Sequence, residues 1–142
     1  MNDLLRARLA AQYGALAVAD AYSCGYTKLS LSRVVSAGEL IRVRTGAFVD
    51  AQLHAEATPE GRHALVALAI ARSFGGRHAV SHHSAVAALE LPLLSDDLDV
   101  THLSRRRPVT NARHGICAFI VTSRPGWNRR CARPSPSGGS SV

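Results

Sequence analysis

Apolar residues recur at helical spacing in the first forty positions and then switch to alternation, and that switch divides the N-terminal part of the chain. Leu5 and Leu9 stand i, i+4 within the run from Leu4 to Ala11, and Gly14 closes it, which predicts a first helix. A second is expected over Ala15 to Tyr22, with Leu16, Ala19 and Ala21 inward and Gly25 as its end. Leu31, Val34 and Val35 predict a third from about Ser30 to Ala37, capped by Thr27 or Ser30 and stopped at Gly38. Ile41, Arg42, Val43 and Arg44 then alternate apolar with cationic, Thr45-Gly46 supplies a turn, and Ala47, Phe48 and Val49 return. Three helices followed by a basic β-hairpin are expected over residues 1–50, the order of a winged helix-turn-helix.

Residues 51–57 lack a periodic pattern and are expected to form a linker. The next helix has clear punctuation: Thr58 as N-cap, Pro59 at the first helical position, Glu60 in the first turn and Gly75-Gly76 as the stop. Its middle, Ala64 to Ala71, is apolar all round and should be buried on more than one side. Ser81 caps an expected helix from His82 to Glu90, with Ala85, Ala88 and Leu89 inward, and Pro92 ends it. Extended segments are expected over Leu98 to Leu103 and Ile116 to Val121, joined by the turn-prone stretch Arg105 to Gly115. Residues 58–121 thus read as a small α+β domain, and the whole chain as α+β. From residue 122 the chain consists mainly of Arg, Pro, Ser and Gly. That composition buries too little surface to offset chain entropy, so a disordered tail is expected over 122–142.

Composition narrows the class of protein. With 46% hydrophobic residues, 142 residues fill one core or two small ones. The longest apolar run, Ala64 to Ala71, is far short of the ~20 residues that span a bilayer. The N-terminus also lacks a signal-peptide core, so a cytoplasmic protein without a membrane partner is expected. Cys24, Cys117 and Cys131 form no C-x-x-C pair and leave one cysteine over, which predicts neither a disulfide framework nor a zinc ribbon.

The net charge of +7 is unevenly spread. Residues 1–50 hold six basic and four acidic side chains, residues 51–103 hold three and six, and residues 104–142 hold eight and none. Global charge therefore says little about the N-terminal segment, and the positions of individual cations carry the reading there.

Those positions predict a DNA contact. Lys28, Ser30, Ser32 and Arg33 fall on the third helix with Thr27 at its start, and Ser30, Arg33 and Ala37 should face away from the core. In the hairpin, Ile41 and Val43 should point one way and Arg42 and Arg44 the other, with Thr45 in the turn, so that both arginines meet phosphates. Arg105-Arg106-Arg107 is foremost a solvated turn.

Catalytic and metal signatures are weak. His78 and His82 are four apart, but Ser81 as N-cap leaves His78 outside the helix, and Ser81-His82-His83-Ser84-Ala85 is expected to be a packing motif. No H-E-x-x-H, G-x-S-x-G or phosphate-binding glycine loop occurs, and serine beside histidine on a helix points away from it. A non-enzymatic protein without metal or cofactor is expected.

The order of three helices, Gly38, Arg42-Val43-Arg44-Thr45-Gly46-Ala47-Phe48, Ser81-His82-His83-Ser84-Ala85 and Val100-Thr101-His102 resembles actinobacterial proteins of the AbiEi-type antitoxin family, over roughly residues 3 to 120. The single motifs are loose; the resemblance rests on their order and spacing. It implies a winged helix on operator DNA, transcriptional autorepression as the antitoxin of a type IV toxin-antitoxin pair, and a cognate toxin as a second partner. Relatives usually carry Tyr where this chain has Phe48, and they continue well beyond this length, some into a nuclease-like domain. The abrupt change near residue 122 is accordingly expected to mark a truncation or frameshift. Two other classes fit the same residues: a protein-interaction module that neutralises or scaffolds a partner without DNA, and a truncated, non-functional remnant.

Overall fold

The computed structural model describes residues 1–93, 98–105 and 118–122, the last as backbone. The expected strand over Ile116 to Val121 lies partly outside these residues; the tail, save for Thr122, and the expected Arg105 to Gly115 turn, save for Arg105, which ends a strand, lie outside them. The described chain is a mixed α+β structure of six helices and two three-stranded antiparallel sheets.

Helix α1 runs Asp3–Ala11, begun by Asn2, whose Oδ1 accepts from the Leu5 N–H at 2.9 Å. Tyr13 and Gly14 then take positive φ and turn the chain back. Gly14 at φ +79° favours glycine for its conformation, and a Cβ there would also push the exposed Leu53 side chain aside. The next segment departs from expectation. Ala15–Ala17 form strand β1, and helix α2 is only Val18–Ser23. Alanine favours helix, but these three residues pair with the hairpin, Ala15 opposite Val49 and Ala17 opposite Ala47, and tertiary pairing outweighs a propensity of under ~1 kcal/mol per residue.

Helix α3 spans Lys28–Ser36, two residues earlier than the sequence suggests, because Thr27 is the N-cap. Strands β2 (Leu40–Arg44) and β3 (Ala47–Asp50) form the hairpin around Thr45-Gly46, with Gly46 at φ +82°. The sheet order is β1-β3-β2. One face, with Leu16, Leu40 and Phe48, closes a core with Leu5, Leu9, Ala21, Leu31 and Val34 from the three helices. The opposite face, with Ala15, Ala47 and Val49, packs against Ala69, Ile70 and Ala71.

Those last residues belong to helix α5, Pro59–Ser73, which starts at Thr58 as expected, with Thr58 Oγ1 accepting from the Gly61 N–H at 3.2 Å. The expected linker is corrected: within 51–57, Ala51–Glu56 form helix α4. Asp50 caps it, Oδ1 accepting from the Leu53 N–H at 2.9 Å, and Gln52 and Glu56 bond one turn apart. Beyond α5, strand β4 (His78–Val80), helix α6 (His82–Ala88) and strands β5 (Val100–Arg105) and β6 (Ala118–Thr122) complete the second sheet, in the order β4-β5-β6. Helix α5 touches both sheets and α6, so its all-round apolar middle has partners on several sides. On α6 the buried residues are Ser84 and Ala87, and Leu89, expected inward, is 69% exposed.

Candidate nucleic-acid interface

Helix α3 starts with a reciprocal cap. The Ser30 N–H donates to Thr27 Oγ1 at 3.2 Å, and the Thr27 N–H donates to Ser30 Oγ at 2.8 Å. Both hydroxyls are thereby engaged inside the helix start, which assigns Thr27 and Ser30 to positioning the helix, whatever the helix meets.

The outward face of α3 is rotated from the one the sequence suggests. Leu31 and Val34 are buried, whereas Val35 is only partly so. At 100° per residue, the direction opposite Leu31 and Val34 falls on Leu29 and Ser36, with Ser32 and Arg33 on either flank. The exposures agree: Leu29, Ser32, Arg33 and Ser36 are all open to solvent, and Ser30 is half-buried. Leu29 is 64% exposed and is the residue that the sequence reading missed. The signal lay in the spacing of 29, 32, 33 and 36, which defines one helical face once Val35 is taken out of the core.

A β-bulge separates the two hairpin arginines. Arg42 stands opposite Phe48 and Arg44 opposite Ala47, so two residues of β2 span one step of β3, with Val43 as the extra residue. Strict alternation would put Arg42 and Arg44 on one face; the bulge puts them on opposite faces, which corrects that expectation. Arg42 lies on the Phe48 side, and its Nη2 donates to Thr45 Oγ1 at 3.2 Å. Arg44 lies on the α5 side, its guanidinium carbon 4.7 Å from the centre of the Phe74 ring. Its charge is held against the helix that covers the sheet.

Between α2, α3 and the hairpin lies a cleft of about 430 Å³, floored by Val18, Leu31, Val35 and Phe48 and edged by Tyr22, Lys28, Ser32, Arg42 and Thr45. Of the eight residues singled out in the sequence, Lys28, Ser32, Arg42 and Thr45 meet at this cleft. Arg33 stands beside it on the outer face of α3, Thr27 and Ser30 form the cap, and Arg44 is directed elsewhere. The surface thus offers three exposed cations, Lys28, Arg33 and Arg42, with small hydroxyl side chains between them.

A second polar cluster is buried. His63 of α5, 5% exposed, reaches the Leu98 carbonyl through Nδ1 at 2.8 Å and Ser84 Oγ through Nε2 at 2.8 Å. A carbonyl only accepts, so Nδ1 carries the proton, and in the neutral ring Nε2 accepts from the Ser84 hydroxyl. Ser84 Oγ in turn accepts from the His102 N–H at 2.9 Å. The His83 ring meets the edge of His102 at 4.1 Å between centroids. This serine has 0% exposure and a hydroxyl bonded on both sides. The cluster fastens α5, α6 and β5 together. Among the described residues no group of three or more His, Cys, Asp or Glu is arranged to hold a metal ion, and no helix is long and apolar enough to cross a membrane. No family model, curated protein or solved structure matches this chain.

Proposed function

We propose that this protein is a sequence-specific DNA-binding regulator that docks α3 in the major groove with the β2–β3 hairpin on the flanking backbone. The observation that carries the reading is the outer surface of α3: Ser32, Arg33 and Ser36 open to solvent, with Lys28 and Arg42 both lining the adjoining cleft. Small hydroxyl side chains allow a helix backbone to approach a groove closely, and arginine bonds guanine O6 and N7 in bidentate fashion. The element order α1-β1-α2-α3-β2-β3 with sheet order β1-β3-β2 supports the winged helix-turn-helix reading of this segment. Arg33 is the base-reading residue, and Lys28, Arg42 and Thr45 fix the register on phosphates.

Antitoxin autorepression in a type IV pair, with a cognate toxin as second partner, is the biological role that the family resemblance adds. Mechanism in this reading is occupancy of a promoter, without a bond made or broken.

The test is a mobility-shift titration of the full chain on its gene's own upstream region, over a range of salt and against random duplex. A retained band that outlasts random competitor is expected. Its affinity should fall with a log–log salt slope of about −2, the value for Lys28 and Arg42 on phosphate. Equal affinity for upstream and random duplex, or no band at low salt, overturns the reading.

A further inference from the structure

We infer that Leu29 is a specificity-determining residue that packs on the C5-methyl group of a thymine, an inference that rests on the DNA reading of α3. Leu29 stands at the centre of the outward face, 64% exposed, between Lys28 and Arg33 in sequence and one turn from Ser32 and Arg33. It is the one large apolar side chain among Lys28, Leu29, Ser32, Arg33 and Ser36, and it packs against neither described core. Helix propensity does not call for leucine in that position, since alanine is the better helix former. Its apolar end is available to whatever α3 meets.

The flanking cations decide what that is. An apolar protein surface laid on Leu29 would strip water from Lys28 and Arg33 without compensation, and a second copy related by a two-fold axis would bring like charges together. A duplex meets both demands: a phosphate takes Lys28 and a guanine edge takes Arg33, and the major groove presents an apolar group, the thymine methyl, beside those hydrogen-bonding edges. Leu29 therefore adds to Arg33 a distinction that arginine lacks, thymine against cytosine at a neighbouring pair.

The experiment uses the full chain and a randomised duplex pool. After selection, each thymine of the enriched site is replaced in turn by deoxyuridine, which removes the methyl and nothing else, and affinities are measured for the native protein and Leu29→Ala. The native protein should lose about fourfold at one thymine, or at two adjacent ones, the worth of one buried methyl group. Leu29→Ala should bind the unmodified site about that much more weakly and show no further loss with deoxyuridine. Enriched duplexes that tolerate every deoxyuridine equally, or an unchanged methyl effect in Leu29→Ala, would overturn the role of Leu29 and leave the DNA reading standing. A pool that does not enrich would overturn both.

Discussion

The α3–hairpin surface and the buried His63–Ser84–His102 cluster are made of similar polar side chains put to opposite uses. In the cluster His63 and Ser84 bond to each other, to the Leu98 carbonyl and to the His102 N–H across element boundaries, at 2.8–2.9 Å. On α3, Lys28, Ser32 and Arg33 lie in solvent. Geometry alone separates these roles, because serine, histidine and arginine serve either equally well. Buried groups are costly to leave unpaired, so the cluster holds elements together; exposed groups cost little in water and stay available for a ligand.

The sharpest way to break that contrast is Ser84→Ala. The change removes the donor to His63 Nε2 and the acceptor for the His102 N–H, leaving two buried groups unsatisfied, so a loss of about 2–4 kcal/mol is expected in urea denaturation. Arg33→Ala should do the reverse. It leaves stability within about 0.5 kcal/mol and reduces the preference for specific over random duplex by about 1–3 kcal/mol. Equal loss on every sequence would remove its reading role.

The hairpin arginines extend the comparison to a single strand. Arg42→Ala should weaken binding to all sequences and make the salt slope shallower by about 1. Arg44→Ala should leave the slope unchanged and destabilise the fold by about 0.5–1 kcal/mol through the lost contact with Phe74. If Arg44→Ala instead changed the slope, the division made by the bulge would fail.

The smallest effect concerns His78, whose pKa is lowered first by burial and then by Arg105, Arg77 and Arg44. Protons bind the unfolded chain more readily there, so the stability this group contributes is present above about pH 6.5 and declines as pH falls below that value. The urea midpoint of the native protein should decline over that window more steeply than that of His78→Gln. Parallel pH profiles would show that His78 does not contribute.

Several of these features were legible in the residues and others were not. The start of α5 follows from Thr58-Pro59, since a hydroxyl acceptor and a fixed φ act within one turn. The hairpin turn follows from Gly46 for the same reason. The bulge at Val43 did not, because it depends on how β2 aligns with β3, and alternation in one strand contains no information about its partner. Nor did Leu29, hidden by the assumption that Val35 points fully inward. His63 stood in an apolar helix with no sequence neighbour to bond it; its partners lie 21 and 35 residues away.

By itself, the sequence determined the mixed α+β class, the Thr58-Pro59 start of α5, the hairpin turn, and the placing of cations on α3 and the hairpin. All are local consequences of caps, spacing and turn chemistry. Only the tertiary structure decided that Ala15–Ala17 is a strand, that Arg42 and Arg44 face apart, and that α5 lies on the far side of the first sheet. Each depends on contacts between residues distant in the chain, whose energies exceed the local preferences that a sequence displays.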